Sequence, residues 1–339
     1  MARFLQHWIE SQWQRIGLLA VLGFPIALLF RLLVALRRVV WHFGLRRSYR
    51  ARCPVIVVGN LTVGGSGKTP LVLWLAQWLH GQGWCPGIVS RGYGGCARHW
   101  PQQVRPDSDP RVVGDEAVLL AHHSNCPVCV GPNRGAAVEA LLRHTDCDIV
   151  IADDGLQHYA LARDIEIVVI DGQGGLGNGL MLPAGPLREP VSRLRSVDLV
   201  VCNGEHRAGA HAMRMRPTGM VALNDECQAQ ALDAWRGRRV RAIAGIGRPE
   251  RFFDMLRRQW LLVEAVAFPD HHDFSAADLA FEDDLPLLMT EKDAVKCQRL
   301  IHRDDVWVVR IEAVPEAAFI LRLEALLNAL PVRYEPAGR

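Results

Sequence analysis

Apolar residues are laid out along this chain in two ways. Near the N-terminus they form one run: Ile16 to Phe30 carries no charge over fifteen residues, and apolar character resumes after Arg31 through Leu36. That approaches the roughly 20 residues needed to cross a bilayer, although Pro25 and Arg31 interrupt it. From Cys53 onward the apolar residues come in short, β-branched runs separated by helical patterns. Strands are predicted at Val55–Val58, Gly87–Ser90, Val128–Val130, Ile149–Ala152, Ile167–Ile170 and Val197–Cys202, with a helix over Leu71–Leu79. A further helix opens at Gly114-Asp115-Glu116. Residues 205–222 lack clear periodicity and read as a connector. A second unit begins near Arg239, with strands at Val240–Ala244, Val263–Phe268, Leu285–Met289 and Val306–Ile311. Its helices are predicted over Glu250–Arg258, from Ala276 behind a Ser275 cap with Asp278, and from about Glu316 to Leu330. Strands alternating with helices point to an α/β protein with a parallel sheet. The divisions are a membrane-associated segment (1–52), a first α/β domain (53–204), a connector or hinge (205–238) and a smaller C-terminal α/β domain (239–339).

Chemistry enters at the end of the first strand. Val55–Val58 runs into Gly59-Asn60-Leu61-Thr62-Val63-Gly64-Gly65-Ser66-Gly67-Lys68-Thr69-Pro70, and a helix follows. This is a P-loop arrangement: backbone N–H groups ring a phosphate at a helix N-terminus, the Lys meets the β/γ-phosphates and the Thr hydroxyl ligates Mg²⁺. Residues Thr62 through Thr69 are the expected nucleotide cradle. Thr62 stands where the usual pattern has Gly, and Pro70 suits a first helical turn. The strand Ile149–Ala152 ends in Asp153-Asp154-Gly155. Two adjacent carboxylates at a strand end repel unless a cation lies between them, which makes Asp153 and Asp154 metal-site candidates. Gln157 and His158 follow at once. Ser90-Arg91-Gly92-Tyr93-Gly94 and Arg134 also stand at strand ends, where ligands gather in such folds. Two His between two Asp, Asp270-His271-His272-Asp273, are hard to explain as core packing. A carboxylate can deprotonate a hydroxyl if a neighbour keeps it ionised, and Asp115 with His271 as an imidazolium is a candidate pair.

Composition and charge narrow the setting. A net charge of +3 does not argue for nucleic acid, and nothing argues for an obligate protein partner. Residues 1–52, however, hold nine Arg against one acid, Glu10. Trp8, Trp13 and Trp41 flank the apolar run, as interfacial aromatics do. With Arg37-Arg38 where a small-residue cleavage site would be, a membrane anchor reads better than a signal peptide, and a buried core helix is the alternative. Positive-inside logic places the rest of the chain in the cytoplasm. The nine Cys are scattered and odd in number, which suits reduced thiols. Cys126-Pro127-Val128-Cys129 has no second Cys pair at metal spacing.

Taken together, the P-loop, Ser90-Arg91-Gly92-Tyr93-Gly94, Gly114-Asp115-Glu116, Asp153-Asp154-Gly155-Leu156-Gln157-His158, Leu187-Arg188-Glu189-Pro190 and Thr290-Glu291-Lys292-Asp293 resemble the tetraacyldisaccharide 4′-kinase family from end to end. The Thr62 departure is that family's form of the loop. The resemblance implies a P-loop NTPase-like domain, a smaller lobe reached by a β-ribbon hinge, and an N-terminal membrane helix. It implies ATP-dependent phosphorylation of the 4′-hydroxyl of a tetraacylated glucosamine disaccharide 1-phosphate, giving lipid IVA, at the cytoplasmic face of the inner membrane. It makes Asp115 the general base supported by a His of the 270–273 loop, His271 in preference to His272, with Lys68 on phosphate. Thr69, Asp153, Asp154 and Glu189 fall around Mg²⁺, and Arg91, Tyr93, Arg134, Gln157 and Arg188 around substrate or phosphate. Two other readings stand beside it: a membrane-associated P-loop ATPase switch with water as acceptor, and a small-molecule kinase. A binding module with a degenerate nucleotide site fits poorly with an intact Lys68, Thr69, Asp153 and Asp154.

Overall fold

The computed structural model describes residues 12–204, 207–301 and 303–330; Arg3, Trp8 and Glu10 lie outside them. In chain order the helices and strands are α1 (Leu18–His42), β1 (Val55–Gly59), α2 (Lys68–Gly81), β2 (Pro86–Ser90), β3 (Gln102–Val104), α3 (Pro110–Val113), α4 (Asp115–His123), β4 (Val128–Val130), α5 (Arg134–His144) and β5 (Ile149–Asp153). Then come β6 (Ile165–Asp171), β7 (Leu199–Asn203), β8 (His211–Ala222), β9 (Asp225–Gln230), β10 (Arg239–Ala244), α6 (Pro249–Arg258), β11 (Leu262–Ala267), β12 (Leu287–Thr290), α7 (Glu291–Cys297), β13 (Val306–Pro315) and α8 (Ala317–Asn328).

The strands form one sheet in the order β11-β10-β12-β13-β8-β7-β6-β1-β5-β2-β4-β3, with β9 beside β8. At its centre β1 runs parallel to both β5 and β6. All five residues of β1 and of β5 are buried, as expected for parallel strands covered on both faces. Successive side chains alternate between the two covers. Ile56, Val58 and Ile151 pack with Leu71, Leu75 and Leu79 of α2, while Val55, Val57 and Val150 pack with Val138, Leu141 and Leu142 of α5. Parallel strands place their carboxyl ends along one edge of the sheet, and every residue of the site stands on that edge or on an element that meets it.

Residues 205–222 are not a plain connector. The twelve-residue β8 pairs antiparallel with β13 from Trp307↔Ala222 to Pro315↔Met213, and parallel with β7. It is the seam that joins the P-loop half to the C-terminal strands. Met213 and Met215 alternate with Arg214 and Arg216, but Pro217 and Gly219 break the period where the ladder with β13 shifts register, and such residues demote a strand in sequence. The helix expected from Ala276 is a single 3₁₀ turn, Ala276–Leu279, although Ser275 and Asp278 do form its capping box.

Helix α1 is long and apolar enough to cross a membrane. Ala20, Gly23 and Ala27 are buried, and Phe30 and Val34 pack partly against the α5-side core. Val21, Leu22, Leu29, Leu32, Leu33 and Leu36 are exposed. A wide apolar surface left exposed by the described residues is what a lipid-facing helix presents.

Candidate active site

The phosphate loop is shaped by its glycines and braced by amides. Gly64 and Gly67 adopt φ of 104° and 90°, the left-handed region that only Gly enters cheaply. A Cβ on Gly67 would also sit 2.4 Å from Asn203 Nδ2. That Asn203 amide donates to the Ser66 carbonyl at 3.1 Å, and Asn60 Nδ2 donates to the Gly64 carbonyl at 3.2 Å. Lys68 and Thr69 then open α2. Lys68 Nζ lies 3.4 Å from Asp154 Oδ1, and Arg188 Nη1 lies 3.5 Å from Asp154 Oδ2.

The register Val58↔Asp153 sets Asp153 beside the end of the P-loop strand. Ser90 Oγ donates to Asp153 Oδ2 at 3.3 Å, while Oδ1 is buried without a hydrogen-bond partner. Burial, then Glu116 and Asp154, push this carboxyl up to about 7. Burial acts on Asp154 in the same direction, but Lys68 and then Arg188 outweigh it and hold that group below the usual carboxylate range. Arg134, the first residue of α5, is buried; its Nη1 donates to the Gly131 carbonyl at 2.8 Å and its Nε has no partner. Burial lowers it to about 10 against the pull of Asp153 and Asp154.

The second half of the site is assembled from both ends of the sheet. The turn at 92–95 packs backbone to backbone on the approach to α4: a Cβ on Gly114 would lie 2.5 Å from the Tyr93 carbonyl oxygen. Asp115 starts α4 there, buried, with Oδ1 accepting from the Glu116 N–H at 2.8 Å. His271 Nδ1 lies 3.0 Å from Asp115 Oδ2, and the Tyr93 ring is 5.2 Å from the imidazole. His272 turns instead to Asp278, 3.2 Å away, and stacks on Phe268.

Lys292 joins this network, which its place in Thr290-Glu291-Lys292-Asp293 alone does not reveal. From α7 its Nζ reaches Glu116 and Asp270, each at 3.1 Å, and His271 Nε2 at 3.2 Å. Burial opposes its charge, but Glu116, Asp270 and Asp115 raise its pKa overall. An ammonium has donors only, so His271 Nε2 faces it with a lone pair and Nδ1–H donates to Asp115. The network thus assigns a neutral imidazole rather than the imidazolium expected from the sequence. The Asp115 hydrogen bond raises the His271 pKa, burial and Lys292 oppose it, and the net direction is upward. At Nε2 an imidazolium N–H would meet the Lys292 ammonium at 3.2 Å, with the Asp270 carboxylate farther off at 3.8 Å. For Asp115, burial raises the pKa, but the His271 hydrogen bond and then Lys292 win and the group is lowered.

Two expected site residues have other partners. Glu189 is buried; it accepts from the Tyr159 hydroxyl and lies 3.5 Å from Arg193 Nε, within an ion cluster that includes Glu166. Its Oε2 is buried without a hydrogen-bond partner. Gln157 Nε2 donates to the Asn60 carbonyl at 3.0 Å and so braces the P-loop rather than reaching outward. Both follow the Asp153 and Leu187 motifs in sequence, and only the folded chain shows which way they turn. Arg91 and Tyr93 stand exposed beside the cleft. Cys126 and Cys129 carry free thiols. Among the described residues no three His, Cys, Asp or Glu side chains could hold a metal by themselves. A cavity of about 220 Å³ opens between α1 and the 179–192 loop, walled by Phe24, Ala27, Leu28 and Met181 with Arg31.

Known proteins resemble this chain over nearly its whole length. A curated tetraacyldisaccharide 4′-kinase of Nitrosococcus oceani is 50% identical over 324 residues, 96% of this chain and 94% of the relative. One from Methylobacillus flagellatus is 46% identical, covering 97% and 98%. Among solved structures, LpxK from Aquifex aeolicus in complex with ATP is 28% identical, with a TM-score of 0.75 over 90% of this chain and 97% of that one. The family model for Tetraacyldisaccharide-1-P 4′-kinase matches residues 19–328, and the chain belongs to that family.

Proposed function

We propose that this protein transfers the γ-phosphoryl group of ATP to the 4′-hydroxyl of a tetraacylated glucosamine disaccharide 1-phosphate, at the cytoplasmic face of the inner membrane, giving lipid IVA. The observation that carries the reading is the Asp115–His271–Lys292 string on the P-loop edge. A sugar hydroxyl is a weak nucleophile, and its proton must leave as the phosphoryl group arrives. Asp115 takes that proton, because His271 and Lys292 keep it ionised although it is buried. Lys68, one side chain from Asp154, is placed to meet the charge on the transferring group. The exposed face of α1 supports membrane seating, and the cavity beside it combines apolar walls with Arg31, matching an acyl chain next to an anionic head.

The residues also suit Mg²⁺. Asp153 has a buried oxygen with no partner and is short of positive charge. Magnesium is commonly held by one or two carboxylates with the remaining positions taken by phosphate and water, so Asp153 with Thr69 would hold it. When bound, the ion would screen the β- and γ-phosphates.

The test is incubation with labelled ATP and a panel of acylated disaccharide 1-phosphates, deacylated sugars and water alone. Label on the 4′ position of the acylated disaccharide is expected. Equal labelling of deacylated sugar would favour a small-molecule kinase, and lipid-independent phosphate release would favour an ATPase switch.

A further inference from the structure

Apart from Ala27 at the cavity wall, the proposed reaction gives the inward face of α1 no role. Ala20, Gly23, Ala27, Phe30, Val34 and Arg37 lie along it at intervals of three and four residues, one seam of the helix. At the start of the seam a Cβ on Gly23 would lie 3.2 Å from the Ala184 backbone, so helix and loop touch backbone to backbone. That loop runs into the P-loop. Leu187 bridges Thr62, the Val63 N–H donates to the Pro186 carbonyl at 2.9 Å, and the Arg188 N–H donates to the Leu61 carbonyl at 2.7 Å.

The other end of the seam reaches the same place by another route. Arg37 Nη2 donates to the Gln157 carbonyl at 3.0 Å, and its guanidinium sits 5.8 Å from the Tyr159 ring centroid. Gln157 in turn donates its side-chain amide to the Asn60 carbonyl at 3.0 Å. Just beyond α1, Ser48 Oγ donates to the Tyr159 carbonyl at 2.9 Å and the Tyr49 N–H to the Ala160 carbonyl at 2.7 Å. Two supports from one helix therefore converge on Asn60 to Val63, the residues that carry the chain from β1 into the phosphate loop.

The geometry points to α1 as a positioning element for the nucleotide site, with Gly23 as its packing contact and Arg37 as its polar contact. A tether would need only the outward apolar face. An arginine turned onto the loop that follows Asp153-Asp154, and a backbone contact at a glycine, add nothing to membrane affinity but do constrain where the P-loop begins. Seating of the helix is then felt by bound nucleotide.

This deepens the proposed function, since it takes the loop as the ATP site, and its test reads nucleotide binding rather than lipid turnover. The full-length protein in detergent is titrated with a fluorescent ATP analogue. Arg37→Ala and Gly23→Leu are each expected to weaken binding about three- to tenfold, the range of one lost hydrogen bond or packing contact. Arg37→Lys should recover most of the loss, and Leu29→Ala on the outward face should bind as wild type does. Sedimentation with anionic phospholipid vesicles should be unchanged by Arg37→Ala. If Gly23→Leu fails to fold, Arg37→Ala decides alone, because its side chain is at the surface. Wild-type nucleotide affinity in Arg37→Ala overturns the inference, whatever happens to lipid turnover. Should the analogue bind while no lipid acquires phosphate, the reaction assignment fails and the Arg37 comparison still stands.

Discussion

Asp115 and Asp153 are both buried carboxylates on one edge of one sheet, yet their surroundings drive them in opposite directions. Burial works against ionisation in each case. Around Asp115 the protein brings its own answer: His271 donates to the carboxylate and Lys292 stands behind the imidazole, both from the C-terminal half. Around Asp153 the nearest charges include Glu116 and Asp154, and the opposing Lys68 and Arg134 do not make up the deficit. A base must be ionised before its substrate arrives, so its cation is built in. A metal ligand gains by being left short of positive charge, because a diffusible cation then completes it. The contrast also explains the use of two halves. The proposed metal side belongs to the P-loop half alone, whereas the proposed base meets its partners only when α7 and the His271 loop sit against α4.

The largest expected effects come from removing either carboxylate. Asp115→Asn should lower kcat by about 10²–10⁴ while leaving nucleotide affinity intact, the signature of a lost general base. Asp153→Asn should cost activity on a similar scale, but with weakened binding of Mg²⁺ and of the Mg²⁺–nucleotide complex, measured by equilibrium titration. If both variants behave alike in that titration, the two carboxylates do not divide the work as drawn.

His271→Ala and Lys292→Met follow, each expected to cost about 10- to 100-fold in kcat. Paired as His271→Ala/Lys292→Met, they should be little worse than the worse single change, because residues acting as one unit are not additive. The pH profile sharpens this. With His271 and Lys292 in place Asp115 has a lowered pKa, so the proposed base stays ionised into acid. Taking away either partner, the His271 hydrogen bond or the Lys292 charge, raises that pKa, and the acid limb of kcat/KM should move to higher pH. An acid limb that stays put in both variants would show that His271 and Lys292 do not set the ionisation of Asp115.

What could be read in advance follows from how local each signal is. The P-loop and the Asp153-Asp154 strand end are written in consecutive residues, and the parallel core in four-residue β-branched runs, so they are legible without the fold. Strand β8 was not, because Pro217 and Gly219 disguise it and its period shows only against β13. Lys292 stands inside a recognisable motif, but its role depends on three partners far away in sequence or on another loop. Glu189 and Gln157 show the converse. Their place beside functional motifs says nothing of their protein partners, and only the packed chain sets Glu189 beside Arg193 and Tyr159 and Gln157 on the Asn60 carbonyl.

The smallest expected effect is at His272, the residue next to the proposed base partner. A two-His loop invites the reading that either ring can serve Asp115, and the structure separates them by orientation. His271 adopts a left-handed backbone, φ 54°, which swings it to Asp115 and sends its neighbour the opposite way. His272 is wedged between Phe268 at 4.8 Å and Phe274 at 4.9 Å and meets Asp278 at the 3₁₀ turn. Its work is to hold the loop in shape. His272→Ala should therefore lower stability by about 0.5–1.5 kcal/mol, the scale of a lost aromatic contact, seen as an earlier thermal transition. Turnover below that transition should stay within about a factor of three of wild type. Since His271 depends on the same loop, His272→Phe offers the cleaner control: it keeps the ring contacts, removes the nitrogen and should restore the transition. A His272→Phe variant that folds normally but loses turnover on the scale of His271→Ala would mean that His272, not only its neighbour, takes part in the proton transfer.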